Sequence, residues 1–164
     1  MKKFTFILFA LIVGTTFAQN SVDGTATVNA HIVSPIGVKS SDNINFGKIV
    51  KTEDGGVVEI PTDGGARIIS KSMDIESDPA TAATFNVTAE ENTTYSVLIP
   101  QLTMKNTADE SQTMTVDFTH SLGEGNTSSG NTAKSFVVGG KLNVGGNQAE
   151  GSYTGTATVT VSYE

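Results

Sequence analysis

The chain closes on a strict two-residue alternation, GSYTGTATVTVSYE. From Tyr153 to Tyr163 the odd positions are apolar, aromatic or glycine, and the even positions are threonine or serine. Because successive side chains of a β-strand point to opposite faces, this period predicts a half-buried strand with one apolar face and one hydroxyl face. At about 3.3 Å per residue, the ten residues from Tyr153 predict a strand about 33 Å long.

A second alternating stretch, VDGTATVNAHIV, lies near the other end of the chain. Its apolar and small residues share one predicted strand face, at Val22, Gly24, Ala26, Val28, Ala30 and Ile32. Polar residues hold the positions between them, so this segment is also predicted to be a half-buried strand. Both segments therefore need a sheet that covers their apolar side, from the same molecule or from a neighbour.

Short alternating runs fill the chain between these two segments. Examples are ATFNVTA, with Phe85 and Val87 on one face, and TYSVLIP, with Tyr95 and Val97 on one face. Clusters such as Asp54-Gly55-Gly56 separate the runs, and no long segment has an apolar period of 3.6. The run KSFVVGGKLNVGG is predicted to form two short strands or one strand with a Gly-Gly bulge. The whole pattern predicts an all-β sandwich or barrel of roughly nine strands.

The N-terminus has the layout of a secretory signal peptide. Lys2 and Lys3 form a basic start, residues 4–13 are almost wholly apolar, and small residues lead to a cleavage point after Ala18 or Gln19. The apolar run is about ten residues, too short for the roughly twenty that cross a bilayer as a helix. The sequence therefore predicts an exported protein of the periplasm, the cell surface or the extracellular space.

Once residues 1–19 are removed, residues 20–164 are expected to form a single β-sandwich domain without a transmembrane anchor. The removal takes away two lysines, so the formal net charge falls from −7 to −9. The remaining basic residues are scattered singly, which argues against a nucleic-acid partner. Because the chain has no cysteine, thiol nucleophiles, thiolate zinc sites and disulfides are excluded.

Few side chains point to chemistry. The two histidines, His31 and His120, have no zinc-binding spacing and are predicted to be ordinary strand or loop residues. Asp74, Glu76 and Asp78 alternate, which fits either a hard cation such as calcium or a charged strand edge, although the other residues of a calcium loop are missing. No residues are spaced as a catalytic triad or a carboxylate pair. We therefore expect no enzyme activity, no cofactor and no metal site.

Several motifs resemble an exported bacterial family known as domain of unknown function 4402. That family is marked by a Phe-Gly after the second strand, here Phe46-Gly47, and by Y-S-V-x-x-P at mid-chain, here Tyr95 to Pro100. It closes on G-x-Y-x-G-T-x-x-V-x-V-x-Y, and the corresponding C-terminal strand here carries Gly151, Tyr153, Ala157, Val159, Val161 and Tyr163. The chain also resembles subunits of chaperone–usher pili and their spore-coat-U-like branch, which close with a similarly placed glycine and a penultimate tyrosine.

The resemblance implies an immunoglobulin-like, pilin-like antiparallel β-sandwich of about seven to nine strands. It also implies donor-strand complementation, in which the N-terminal strand of one subunit fills a groove left by a missing strand in the next. The donor strand here would run from Val22 to Ile32, and a periplasmic chaperone would pair with the C-terminal strand through Ala157, Val159 and Val161. Pilus subunits usually carry a disulfide between early strands, and this chain has no cysteine to form one.

Two functions stay open from the sequence. In the first, the chain is a structural subunit of a pilus-like fibre built from identical or related subunits, because head-to-tail pairing does not close. In the second, the first strand folds into its own domain, and the chain is a self-complete monomeric β-sandwich of the surface or periplasm with an adhesive or carbohydrate-binding role. The loop at residues 123–132 is the candidate recognition element, because it is long and rich in Gly, Ser and Asn.

Overall fold

The computed structural model describes residues 21–70, 72–75, 79–122, 127–128 and 133–164. These residues contain ten strands and no α-helix: β1 (Gly37–Ser40), β2 (Gly56–Ile60), β3 (Ala83–Thr88), β4 (Thr94–Leu98), β5 (Leu102–Asn106), β6 (Thr113–His120), β7 (Thr127–Ser128), β8 (Lys134–Val144), β9 (Tyr153–Thr154) and β10 (Thr160–Tyr163). The prediction of an all-β fold is confirmed. The predicted signal peptide lies outside the described residues.

Seven of the strands form one antiparallel sheet around β8. The strand order is β1-β3-β8-β6-β5-β9. The strands β3 and β2 both pair with the same edge of β8, β3 along its first half and β2 along its second half. Cross-strand partners face the same side of a sheet, as Phe85 and Phe136 do with ring centroids 5.7 Å apart. The register therefore places the alternating apolar residues of the sequence on one common face.

Three further strands form a smaller antiparallel sheet in the order β10-β4-β7. Its register pairs Val161 with Val97 and Tyr163 with Tyr95. The strand β10 therefore brings the end of the chain alongside the mid-chain segment that carries the Y-S-V-x-x-P motif.

The run KSFVVGGKLNVGG forms the single strand β8 rather than two short strands. Gly139 and Gly140 lie inside it and are buried. A methyl group on Gly139 would overlap the Ile60 carbonyl oxygen, and one on Gly140 would lie 2.7 Å from the Asp117 carbonyl oxygen. Glycine is needed here because a side chain would push the neighbouring backbones away from β8.

Buried side chains form two core clusters. The first consists of Phe46, Val58, Ile60, Met73, Val116, Leu142 and Val144. The second consists of Val87, Tyr95, Phe136 and Val138, with partly buried side chains of β1 and β10 packed against it. Because Tyr95 belongs to β4 and Phe136 to β8, the second cluster joins the two sheets.

Internal contacts divide the chain into two units, with the boundary between Ile32 and Val33. The second unit holds all ten described strands and both core clusters. In the first unit, residues 21–32 are described, and they contain no strand. The segment predicted to be the first strand thus takes no strand conformation in the single chain.

Candidate functional site

The N-terminal alternating segment is exposed along its described length. Val22 is 93% exposed, Val28 is 89% exposed and Ile32 is 92% exposed. The smaller residues of the same predicted face, Gly24, Ala26 and Ala30, are also exposed. Each large aliphatic side chain forgoes about 1.5–3 kcal/mol of burial. Residues 21–32 therefore leave several apolar side chains uncovered in the single chain.

The C-terminal alternation persists in the structure, although the predicted long strand is divided. The strand β9 pairs with β5 in the large sheet, β10 pairs with β4 in the small sheet, and residues 155–159 connect them outside any strand. Ala157, Val159 and Val161 are partly buried, whereas the threonines between them are exposed. The predicted apolar face is kept, and the strand is interrupted because the chain crosses from one sheet to the other.

Gly151 and Tyr153 hold the start of this C-terminal segment. Gly151 has a φ of 132°, and a methyl group there would lie 2.7 Å from Asn106 Nδ2. Tyr153 OH donates to the Ala149 carbonyl and accepts from Gln148 Nε2, both at 2.8 Å. These two motif residues therefore shape the turn that leads into β9.

An open cleft of about 810 Å³ lies between two segments of the second unit. Residues 44–51 form one wall and residues 148–153 form the other. Its floor consists of apolar side chains from the large sheet, Met104, Met114, Leu142 and Val144. Because Met104 and Met114 are cross-strand partners in β5 and β6, the floor is a continuous sheet face.

The two walls belong to longer segments that run in opposite directions. At one end of the cleft, Lys51 Nζ lies 2.7 Å from Glu150 Oε1. At the other end of these longer segments, outside the cleft lining, Tyr163 OH donates to the Ser34 carbonyl oxygen at 2.8 Å. The segment from Ser34 to Lys51 is therefore antiparallel to the segment from Glu150 to Tyr163.

Each of these two segments forms backbone hydrogen bonds with other parts of the fold on its outer edge, and within the described residues the two edges that face each other are not paired. In the described structure, no backbone hydrogen bond joins residues 36–50 to residues 148–163. The strand β1 pairs with β3, and the Val50 N–H donates to the Met73 carbonyl at 2.8 Å. The strands β9 and β10 pair with β5 and β4. An extended chain segment could therefore add to either facing edge while its side chains contact the apolar floor.

Arg67, the only arginine of the chain, braces the first wall. Its side chain is only 7% exposed. Its Nη1 donates to the Phe46 carbonyl at 2.7 Å and to the Lys48 carbonyl at 3.2 Å, while Nη2 lies 2.6 Å from Asp74 Oδ1. The planar guanidinium can serve both carbonyls and the carboxylate at once. The sequence gives no indication of this role, because the partners of Arg67 are not at a recognisable spacing.

The charges of the cleft lining lie on its walls, at Lys48, Lys51 and Glu150. A hydrogen bond from Lys51 and its positive charge hold the pKa of Glu150 below its usual value. The carboxylate therefore stays ionised at neutral pH and keeps its pairing with Lys51 across the end of the cleft. The floor itself carries no ionisable side chain.

Another group of polar side chains lies on β6 and its neighbours. Side-chain hydrogen bonds from Gln101 at 2.6 Å and Asn143 at 2.9 Å hold the pKa of Asp117 below its usual range. Asp117 is exposed and is not part of the cleft lining. We interpret this group as a solvated sheet surface.

The two histidines belong to different units of the chain. His31 is exposed in the N-terminal segment. The His120 ring meets Phe136 edge-on at 6.1 Å, and its buried Nδ1 has no hydrogen-bond partner in the described structure. Within the described residues, no group of three or more His, Cys, Asp or Glu side chains could hold a metal ion.

The acidic triplet and the predicted recognition loop are described only in part. Asp74 pairs with Arg67, whereas Glu76 and Asp78 lie outside the described residues. Of the loop at residues 123–132, the structure describes only the backbone of β7. The described residues contain no helix long and apolar enough to cross a membrane.

The two antiparallel sheets define the class: an all-β domain, with an open cleft over the face of its larger sheet. A family model described as Domain of unknown function (DUF4402) matches residues 36–163. The chain belongs to this family. The match begins just before β1 and ends at the last residue of β10, so it covers all ten described strands. No curated protein and no solved structure is significantly similar to the chain.

Proposed function

We propose that this chain is a non-enzymatic, exported structural protein of the cell surface, whose copies assemble by strand donation. In this proposal, residues 21–32 of one copy lie in the open cleft of the next copy. Each copy then gives one strand and receives one, so that the assembly grows head to tail into a pilus-like fibre.

The observation that carries the proposal is the uncovered N-terminal segment. It alternates as a half-buried strand does, yet Val22, Val28 and Ile32 are almost fully exposed in the single chain. A partner sheet would cover these side chains, and burial of each would contribute about 1.5–3 kcal/mol.

The cleft suits this segment in chemistry, and open strand edges lie beside it. In the described structure, β1 and β10 have no backbone partner on the edges that face each other. The floor residues Met104 and Met114 are apolar, as are the side chains that the donor would point at them.

The first test compares the assembly of three full-length mature proteins by sedimentation and electron microscopy. The wild-type protein is expected to form fibres. Val28→Asp is expected to stay monomeric, because docking of its N-terminal segment would bury the aspartate charge. Thr27→Asp is the matched control, since Thr27 lies on the opposite predicted face. A wild-type protein that remains a stable monomer at every concentration would contradict the proposal and favour the self-complete surface module with an adhesive or carbohydrate-binding role.

The second test asks whether the cleft receives the donor. The chain has no cysteine, so an introduced pair gives an unambiguous disulfide. Val28→Cys protein mixed with Met104→Cys protein is expected to cross-link, whereas Thr103→Cys is expected not to, because Thr103 points to the opposite face of β5. Fibres without this cross-link would show that a different edge accepts the strand.

Export and chaperone binding belong to the same proposal. Residues 1–19 support export by their sequence, and mass spectrometry of the secreted protein is expected to find an N-terminus at Gln19 or Asn20. A periplasmic chaperone that pairs along the C-terminal strand would cover Ala157, Val159 and Val161. Detection of the intact leader on the exported protein would contradict this part of the proposal.

A further inference from the structure

Three methionines of the second unit have two different environments. Met104 in β5 and Met114 in β6 are direct cross-strand partners, are only partly buried and line the open cleft. Met73 belongs to the first core cluster and is 0% exposed. A methyl group on Gly56 would lie 2.6 Å from the Met73 sulfur, which shows how closely that thioether is packed.

We propose that Met104 and Met114 form a paired oxidation site for peroxides, and that their oxidation closes the cleft to apolar segments. A thioether sulfur attacks one peroxide oxygen, a sulfur–oxygen bond forms, and the oxygen–oxygen bond breaks. The sulfur loses two electrons to the peroxide, whose other oxygen leaves as water when the peroxide is hydrogen peroxide. The product is methionine sulfoxide, which methionine sulfoxide reductases convert back to methionine.

Access to the sulfur decides which methionine reacts. The cleft is open to solvent, and both partly exposed methionines lie on its floor, whereas Met73 is enclosed by the core. Oxidation follows exposure, so Met104 and Met114 should react while Met73 is protected. Met73 therefore serves as an internal reference within the same folded molecule.

The effect on docking follows from the chemistry of the floor. A sulfoxide adds a strong hydrogen-bond acceptor beside the apolar side chains of Leu142 and Val144. An apolar donor segment offers that oxygen no hydrogen bond from its side chains, so covering it carries the cost of an unpaired buried polar group. This second half of the inference rests on the proposed function, whereas the oxidation site itself does not.

The oxidation site is tested by treating the folded, full mature chain with dilute hydrogen peroxide. Peptide fragmentation in a mass spectrometer then locates each added oxygen over time. Met104 and Met114 are expected to oxidise at least about tenfold faster than Met73. Equal rates at all three residues, or faster oxidation of Met73, would overturn the assignment.

The docking effect is tested with the Met104→Leu, Met114→Leu double variant. Leucine keeps the size and apolar character of the floor but cannot form a sulfoxide. Peroxide is expected to reduce fibre formation by the wild-type protein, the reductases are expected to restore it, and the double variant is expected to assemble equally with and without peroxide. Unchanged assembly of the oxidised wild type, or equal loss in the double variant, would refute the docking effect.

A further measurement separates this inference from the proposed function. If the untreated wild-type protein forms no fibres, the proposed function fails. The oxidation rates of Met104, Met114 and Met73 still test the oxidation site, because they do not depend on fibre formation. The apolar dye anilinonaphthalene sulfonate then reports the floor: peroxide should lower dye fluorescence in the wild type but not in the double variant. Equal changes in the two proteins would refute the closure of the cleft.

Discussion

Tyr95 offers a substitution that we expect to stabilise the protein. The side chain is 0% exposed and lies in the second core cluster with Phe136 and Val138. Its hydroxyl group has no hydrogen-bond partner within the described structure. The change Tyr95→Phe removes this hydroxyl and leaves the aromatic ring in the core.

The magnitude follows from the cost of an unsatisfied buried hydroxyl, which is about 1–3 kcal/mol. We therefore expect Tyr95→Phe to raise the free energy of unfolding by about 1 kcal/mol or more. The matched control is Tyr163→Phe, because the Tyr163 hydroxyl accepts from the Glu90 N–H at 2.7 Å and donates to the Ser34 carbonyl at 2.8 Å. Loss of those two bonds should lower the free energy by about 1–3 kcal/mol, so the two variants should differ by at least about 2 kcal/mol.

The same burial predicts a dependence on pH. Burial raises the pKa of Tyr95 above its ordinary value, which is about 10 in the unfolded chain. As the pH rises above about 10, the unfolded state loses this proton first, so the wild-type protein becomes less stable until the pH passes the folded-state pKa. Tyr95→Phe lacks this decline because phenylalanine does not ionise.

The assay is urea unfolding followed by circular dichroism, at about pH 7 and about pH 10.5. The gain in stability from Tyr95→Phe should grow between the two pH values, whereas Tyr163→Phe should be less stable than the wild type at about pH 7. A Tyr95→Phe protein that loses 1 kcal/mol or more at about pH 7 would show that the hydroxyl has a partner in solution and would refute the argument.

Three other substitutions test the supports of the fold and cleft by urea unfolding. Arg67→Lys should lower the free energy of unfolding by about 1–3 kcal/mol, since an ammonium group cannot bind the Phe46 carbonyl and the Asp74 carboxylate in the planar geometry of arginine. A decrease under about 0.5 kcal/mol would show that these contacts of Arg67 do not support the fold. Gly139→Ala should lose more than about 2 kcal/mol, because its methyl group overlaps the Ile60 carbonyl oxygen, and a neutral change would refute the close approach. Asn106→Ala should cost about 1–3 kcal/mol, since the buried amide bonds the turn before β9, and an unchanged midpoint would contradict this role.

The alternation predicted local features of the fold better than it predicted their partners. At the C-terminus it correctly separated partly buried Val159 and Val161 from the exposed threonines, because a strand period depends only on neighbouring residues. The division of that segment between two sheets depends on β5 and β4, which are distant in the sequence. Periodicity holds no information about such pairings, so the predicted long strand was not found.

The cleft was harder to foresee than the strands. Its walls come from opposite ends of the second unit, and Arg67 holds one of them through backbone carbonyls, which carry no sequence signature. The resemblance to pilus subunits implied a groove for a donor strand, but no sequence motif indicated that Met104 and Met114 would line a cleft. The alternating N-terminal segment likewise predicted a need for cover without indicating which surface would provide it.

The bracing of both walls bears on how the cleft would bind a strand. Arg67 ties one wall to Asp74, and Tyr163 ties the segment that continues from the other wall to the Glu90 N–H and the Ser34 carbonyl. Because these contacts are already formed in the free chain, binding need not order the walls, and the conformational entropy cost falls mainly on the incoming segment. Arg67→Lys should therefore weaken the proposed docking of residues 21–32 as well as the stability of the fold. Tyr95→Phe should change stability and leave this docking unaltered.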